Sequence, residues 1–243
     1  MRDYQREFDA RVEYVKAKLK EAGADGIVFG NSGGKDCALV GIICKKACDN
    51  TLAVIMPCNS KVNLTTDMQD AIALCNQFKI EYRTVDLTST KSALVTELNK
   101  VVNINRSADI NINPRLRMTT LYAIGAAENR LVAGTGNRSE RYMGYFTKWG
   151  DGAYDFDPIA DLTVSEVYEF LEYLNAPVSI RTKAPSAGLF EGQTDELEMG
   201  VTYKTIDDYI NGKEVSQHDK EIIDRYHKRS EHKRVLPSVF KEN

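Results

Sequence analysis

The 243-residue sequence predicts an α/β fold: a doubly wound parallel sheet with helices on both faces. Short apolar runs alternate with helical patterns as far as residue 133, which indicates parallel strands joined by helical crossovers. These runs are apolar throughout, as expected for strands that helices cover on both sides. A glycine-rich turn directly after the first run is typical of a ligand site at the carboxyl end of such a strand.

The elements follow one another regularly. Apolar residues at three- and four-residue spacing predict a first helix over 3–22, which Gly23 ends. Predicted strands lie at 26–30, 51–56, 80–85 and 131–133, and predicted helices near 37–48, 66–78, 90–102 and 115–129. Further helices near 163–174, 202–211 and 216–230 are expected to form a carboxyl-terminal wrap. Because no linker or repeat interrupts the chain, we expect a single domain over residues 1–243.

Composition narrows the possible functions. A formal net charge of −3 argues against a nucleic-acid partner, and no run of about 18 apolar residues predicts a membrane span. The five cysteines form no C-x-x-C pair, so a zinc or redox site is not favoured. Cys37, Cys44 and Cys48 share an apolar helical stretch and are expected to be buried, reduced thiols. We therefore expect a cytoplasmic protein.

The turn after the first strand has the chemistry of an anion site. It contains Gly30, Asn31, Ser32, Gly33, Gly34, Lys35, Asp36 and Cys37. Two adjacent glycines let backbone N–H groups approach a phosphate, and the following helix start adds a favourable dipole. Asp36 would repel a phosphate unless a cation such as Mg²⁺ bridges the two. The pattern is neither a Walker P-loop nor a dinucleotide-binding G-x-G-x-x-G.

The segment S-G-G-K-D at 32–36 resembles the S-G-G-x-D-S motif of the pyrophosphate-loop ATP pyrophosphatases. Cys37 takes the place of the final motif serine. The resemblance implies a Rossmann-like fold and ATP cleavage between the α and β phosphates, with transfer of adenylate to a substrate. It also implies that the residues of the turn, from Gly30 to Cys37, bind ATP.

Five further segments, in the same order along the chain, resemble the ammonia-dependent NAD synthetases. R-L-R-M, starting at Arg115, is similar to a family segment whose first arginine contacts deamido-NAD. G-T-G-N-R-S-E at 134–140 resembles a segment in which a threonine, here Thr135, meets ATP. Its glutamate, here Glu140, binds Mg²⁺, and the resemblance implies that Asp36 shares the metal.

Two more segments resemble segments of the same family. The stretch 144–155 is similar to the family pattern F-F-T-K-x-G-D-G-x-x-D, which implies that Lys148 and Asp155 contact deamido-NAD. The stretch 183–196 resembles K-x-P-[ST]-A-x-L followed by Q-x-D-E, where Ser186 replaces an ATP-contacting threonine. A glycine-rich, polar loop over 184–195 is expected to close over the substrate.

The last segment is E-H-K-R at 231–234, and the resemblance implies that His232 and Lys233 reach the substrate. One departure concerns Val164, where many family members have a lysine that contacts the phosphates of ATP. Val164 begins an apolar stripe, so packing explains it. We expect Lys183, with Lys35 as a second candidate, to supply the missing charge.

The resemblance implies a ligase that adenylates the nicotinate carboxylate of deamido-NAD with ATP and then amidates it with ammonia. Lys183 and Asp36 are the expected catalytic residues, with Mg²⁺ as cofactor. Free ammonia is expected because about 25 residues precede the first strand, too few for a glutaminase domain. The family resemblance also implies a homodimer. The alternatives are another pyrophosphate-loop enzyme, such as a tRNA-modifying ligase, and a non-catalytic ATP-binding module.

Overall fold

The computed structural model describes residues 2–58, 66–183 and 195–240. Its centre is a four-stranded, all-parallel sheet of β1 (Gly26–Gly30), β2 (Thr51–Ile55), β3 (Glu81–Thr84) and β4 (Arg130–Val132). The strand order is β3-β2-β1-β4. The chain therefore builds outward from β1 on one side and later adds β4 on the other. Ligands of open α/β sheets bind at such a reversal, beyond the carboxyl ends of the strands.

Twelve helices lie within the described residues. They are α1 (Tyr4–Ala22), α2 (Lys35–Ala47), α3 (Thr66–Phe78), α4 (Thr88–Leu98), α5 (Arg106–Glu128), α6 (Arg138–Met143), α7 (Val164–Tyr173), α8 (Val178–Arg181), α9 (Asp195–Met199), α10 (Tyr203–Ile210), α11 (Gln217–Arg229) and α12 (Glu231–Arg234).

Helices cover both faces of the sheet, which confirms the predicted fold class. Helices α1, α2 and α7 pack on one face around Phe29 and Leu39, both fully buried. Helix α5 covers the other face, where Val28 and Leu52 belong to a second apolar cluster. A third cluster around Tyr203 joins α6, α7, α10 and α11. This last cluster is the expected carboxyl-terminal wrap, and Val164 is part of it, as its apolar stripe predicts.

The edge strand β3 differs from the expectation. All four of its residues are exposed, so the prediction that every strand is covered on both sides is wrong here. The sequence E-Y-R-T offers little apolar surface to cover, and the strand pairs only with β2. Its position at the edge of the sheet explains the difference, because an edge strand has a hydrogen-bonded neighbour strand on one flank only.

Helix α5 begins earlier than the prediction of 115. It starts at Arg106, where the Asn105 side chain accepts the Ala108 N–H at 2.9 Å as an N-cap. Pro114 therefore lies inside the helix and not at its start, and it removes one internal hydrogen bond. The early part of the helix is polar and without apolar periodicity, which explains the error.

The cysteines agree with the expectation of reduced thiols. All five are free; Cys48 is half-buried and the other four are buried. Among the described helices, none combines the length and the apolar character needed to cross a membrane.

Candidate functional site

The glycine turn after β1 is held in place by Asn31. Its buried side chain accepts the Gly33 N–H at 3.1 Å and donates to the Ala71 carbonyl at 3.2 Å. Gly33 has a φ of 78°, and a Cβ there would lie 2.1 Å from the Asp67 carbonyl oxygen. Glycine alone satisfies both conditions. The Asn31 side chain thus shapes the turn from inside the protein, although the sequence resemblance assigned it to ATP.

Cys37 lies in the first turn of α2, where the motif serine is expected. Its Sγ lies 3.3 Å from the Ser32 Oγ, which in turn accepts the Gly34 N–H at 3.3 Å. Burial raises the pKa of the Cys37 thiol, so the group remains protonated at neutral pH. A protonated, buried thiol is a poor nucleophile. Cys37 therefore supports the turn through Ser32.

Asp36 and Glu140 are brought together at the start of two helices. Asn137 joins them: its side-chain nitrogen donates to Asp36 Oδ1 at 3.1 Å, and its side-chain oxygen accepts the Glu140 N–H at 3.0 Å. The Glu140 carboxylate in turn accepts the Asn137 N–H, which completes a capping box. Burial, and next the charge of Asp36, raises the pKa of Glu140. Asn137 was not predicted as a site residue, although its position three residues before Glu140 is the signal of this cap.

The Asp36 and Glu140 carboxylates fit a divalent cation. Both already approach one positive charge, the Lys35 ammonium, at 2.7 Å from Asp36 and 3.8 Å from Glu140. Two carboxylates that converge on a cation beside a phosphate-binding turn are the donor set that Mg²⁺ takes in proteins. The metal residues expected from the sequence are thus neighbours in space, with Lys35 between them.

Thr135 follows β4 and lines the same cavity. The Gly134 N–H donates to the Phe156 carbonyl at 2.7 Å, and a Cβ on Gly134 would lie 2.6 Å from the ring of Tyr154. Asp157 accepts the Gly136 N–H at 3.2 Å, and burial raises the pKa of Asp157 to about 6. These contacts shape the backbone around Thr135. Asp157 was not predicted as a site residue, because it belongs to a later loop that meets Gly136 only in the folded protein.

The two arginines of R-L-R-M have different surroundings. Arg115 is exposed and donates to the Lys148 carbonyl at 3.3 Å. Arg117 lines the cavity, where its Nε donates to the Met56 carbonyl at 3.1 Å. Burial lowers the pKa of Arg117, and no carboxylate of the described residues lies within 4 Å of it. The structure therefore offers Arg117, which was not assigned from the sequence, as a cation for an anionic ligand.

Lys148 and Asp155 do not line the cavity. The Lys148 ammonium donates to the His232 carbonyl at 2.6 Å. Asp155 accepts the Val132 N–H at 2.7 Å and the Tyr122 hydroxyl at 3.1 Å, which secures the end of β4. In this arrangement both side chains hold the protein together around the cavity.

His232 and Lys233 do line the cavity. The Lys233 ammonium donates to the Gly144 and Phe146 carbonyls at 2.8 and 2.7 Å, and burial lowers the pKa of Lys233. These bonds attach α12 to the segment after α6. The sequence resemblance assigned His232 and Lys233 to the substrate. In the structure both residues line the cavity, and Lys233 also stabilises the cavity wall through its two hydrogen bonds.

Lys183 also lines the cavity, on the side of α3. Its ammonium forms ion pairs with Asp67 and Asp70, the second at 3.1 Å. The charge is therefore near the glycine turn but held by two carboxylates. Ser186, and the loop expected to close over the substrate, lie outside the described residues except for Asp195.

Most of these groups line one cavity of about 1620 Å³. Single small-molecule sites measure roughly 300–1,000 Å³, so this volume suits two nucleotide-sized ligands. The residues expected from the sequence that line it are Gly30, Asn31, Ser32, Gly34, Lys35, Asp36, Cys37, Thr135, Glu140, Lys183, His232 and Lys233. Gly33 shapes the turn without lining the cavity.

Known proteins are similar to this chain in sequence and in fold. The sequence profile described as NAD synthase matches residues 7–238. An NH(3)-dependent NAD(+) synthetase of Carboxydothermus hydrogenoformans is 47% identical over 231 residues, which cover 94% of each chain. Among solved structures, the NMN synthetase from Francisella tularensis is similar with a TM-score of 0.94 and 39% identity over 100% of both chains. The NH3-dependent NAD synthetase from Campylobacter jejuni follows with a TM-score of 0.83 and 27% identity, over 99% of this chain and 100% of that one.

Proposed function

Because the chain belongs to the NAD synthase family, we propose that its cavity amidates deamido-NAD with ammonia at the expense of ATP. The observation that carries this proposal is the meeting of Asp36 and Glu140 beside the glycine turn, in one cavity with Arg117. A tRNA-modifying ligase and a non-catalytic ATP-binding module were the alternatives. Membership of this family favours neither of them.

The proposed reaction has two steps. A carboxylate is a poor electrophile toward ammonia, so the nicotinate carboxylate first attacks the α-phosphorus of ATP and pyrophosphate leaves. The backbone N–H groups of the turn and the amino terminus of α2 lie where they would stabilise the charge of the leaving pyrophosphate. Ammonia then attacks the carbonyl carbon of the acyl-adenylate, which yields NAD and AMP. Neither step needs a covalent protein nucleophile, in keeping with the protonated Cys37.

Asp36 and Glu140 would hold Mg²⁺ beside the turn that is proposed to bind the phosphates of ATP. When bound, the ion supplies charge stabilisation to the phosphates. The Asn137 side chain donates to the Asp36 carboxylate and its backbone N–H donates to the Glu140 carboxylate, so Asn137 acts as a positioning residue for this site.

The test is a turnover assay with ATP, Mg²⁺ and deamido-NAD, in which ammonium and glutamine are compared as nitrogen donors. We expect NAD, AMP and pyrophosphate in equal amounts with ammonium. Absence of both NAD and AMP with either donor would overturn the proposed function.

A second candidate substrate is the mononucleotide, nicotinate mononucleotide. The 39% identity to an NMN synthetase over the entire chain favours it, because the same chemistry would yield NMN. The assay therefore includes both acids, and the ratio of their kcat/KM values assigns the preference.

Lys183 is proposed to act in the adenylation step. Lys183→Ala is expected to lower the rate of AMP and pyrophosphate release by at least about tenfold, because a cation near the phosphates stabilises developing charge. Lys204→Ala is the matched control, since Lys204 is an exposed lysine in an ion pair with Asp208. An unchanged rate in Lys183→Ala would remove this residue from the catalytic machinery.

Arg117 is proposed to bind an anionic group of one substrate. Arg117→Met is expected to raise the KM of ATP or of the acid substrate by about tenfold or more, because a half-buried guanidinium that forms no ion pair within the described residues favours an anion. Initial rates with each substrate varied in turn identify which one is affected. Equal KM values for Arg117→Met and the wild type would contradict the assignment.

We also propose a homodimer. Of the 23 residues of helix α5, Gly125 alone is buried. Val101, which precedes the start of this helix, is 82% exposed. A second copy of the chain would cover Val101 and the neighbouring Val102, which is 53% exposed. Sedimentation equilibrium is expected to give twice the 27.3 kDa of the chain, and Val101→Glu is expected to weaken the association. A wild-type mass of one chain at micromolar concentration would contradict it.

The free state of all five cysteines supports a reducing compartment. The cytoplasm, where ATP is available, is the location that we propose.

A further inference from the structure

We propose that Lys35 is a built-in counter-cation of the two metal carboxylates, so that the divalent ion binds together with ATP and only weakly without it. This inference rests on the metal site of the proposed function and adds a role for a residue that the motif leaves variable. Its basis is the position of one ammonium group.

The Lys35 Nζ lies where the two carboxylates converge. It donates to Asp36 Oδ2 at 2.7 Å and lies 3.8 Å from Glu140 Oε1. Among the described residues, no other lysine, arginine or histidine nitrogen lies within 4 Å of either carboxylate. Lys35 alone therefore balances this pair of charges.

The ammonium is enclosed on its remaining sides. Lys35 is only 7% exposed, and its Nζ lies 6.0 Å from the ring centre of Tyr168 and 5.8 Å from that of Tyr203. The ammonium is therefore held among two carboxylates and two aromatic rings.

A divalent ion at Asp36 and Glu140 would have to displace this ammonium or remain close to it. An ammonium group and a divalent cation that contact the same two carboxylates, shielded from water, repel each other strongly. Without nucleotide, the Lys35 ammonium already supplies one positive charge to this pair of acidic side chains. The triphosphate of ATP adds several negative charges at the adjoining turn, enough to accommodate both the ammonium and the ion. Metal affinity should therefore depend on nucleotide.

The test measures metal binding without any reaction, by the Mn²⁺ electron paramagnetic resonance signal in a titration that contains no nucleotide. We expect Lys35→Gln to bind Mn²⁺ at least about tenfold more tightly than the wild type, because one repelling charge has gone. Lys45→Gln is the matched control: it removes a charge from the far end of the same helix and should bind like the wild type. Equal affinity in Lys35→Gln and the wild type would overturn the proposal.

The double variant Lys35→Gln/Asp36→Asn tests whether Mn²⁺ binds at Asp36 and Glu140. It should lose the gained affinity if Mn²⁺ binds at the pair, whereas retention of the gain would place the ion elsewhere and refute the inference. A measurement on the wild type avoids any dependence on folding of the variants. The ¹⁵Nζ resonance of Lys35 should stay in place with Mg²⁺ alone and shift with Mg²⁺ plus a non-hydrolysable ATP analogue. A shift with Mg²⁺ alone would argue against it.

These readouts are independent of NAD formation. A protein that gains Mn²⁺ affinity on Lys35→Gln but makes no NAD would retain the inference and lose the proposed function. The reverse result would retain the function and lose the role of Lys35.

Discussion

Replacing Asp36 with asparagine is expected to lower the turnover number by about a thousandfold or more, while ATP affinity stays within about tenfold. Asparagine has the shape of aspartate and can still accept the bond from Asn137. It lacks the negative charge that pairs with Lys35 and that a divalent ion would need. Glu140 would then be the one remaining carboxylate of the pair.

Turnover is measured as NAD formation, and ATP affinity by calorimetry, on the same preparations. Asp49→Asn is the matched control, since Asp49 is a fully exposed aspartate just after the end of α2. A non-catalytic ATP-binding module would keep its ATP affinity within about tenfold and would show no turnover, in the variant or in the wild type. Turnover of Asp36→Asn within tenfold of the wild type would contradict the assignment of Asp36 as a catalytic residue.

Replacing Gly144 with alanine is expected to lower the free energy of unfolding by about 2–4 kcal/mol. Gly144 ends α6 with a φ of 66°, a left-handed conformation that costs an alanine about 1 kcal/mol or more. A Cβ there would also lie 2.0 Å from the Cβ of Ser230, which is buried between α11 and α12. The overlap would push α6, and with it Glu140, away from the carboxyl-terminal helices.

Denaturant unfolding measures the change, and a second glycine separates its two causes. Gly212 has a φ of 77°, but a Cβ added there would meet nothing within 4 Å, so Gly212→Ala should show the backbone effect alone. Ser230→Gly removes the overlapping atoms, so the double variant with Gly144→Ala should recover part of the loss. Equal losses for Gly144→Ala and Gly212→Ala would show that the close approach to Ser230 has no energetic weight.

The elements with a strong periodic pattern were predictable. Strand β1 and helix α3 have the predicted bounds, and most others differ by one to three residues. The failures have physical causes. Helix α5 begins with a polar turn, where its N-cap Asn105 determines the start, and β3 is stabilised by pairing with β2 instead of by burial.

Most of the residues expected at the site line one cavity, but their contacts could not be predicted from the motifs. Asp36 and Glu140 follow different strands of a parallel sheet, so their meeting at one edge follows from the fold class. Asn137, which bonds to Asp36 across 101 residues, gave no signal beyond its capping position. Whether Arg115 or Arg117 lines the cavity depends on which way α5 turns toward the sheet, which its weak apolar pattern leaves open.

By itself, the sequence determined the order of the elements, the glycine turn and the family, because periodicity, glycine conformation and helix capping act over a few residues. Only the tertiary structure decided which charges meet. In the sequence Lys35 is a candidate phosphate ligand, yet the fold places its ammonium between two carboxylates and beside the rings of Tyr168 and Tyr203. The energy of a buried charge depends on all the groups around it, and these come from distant parts of the chain.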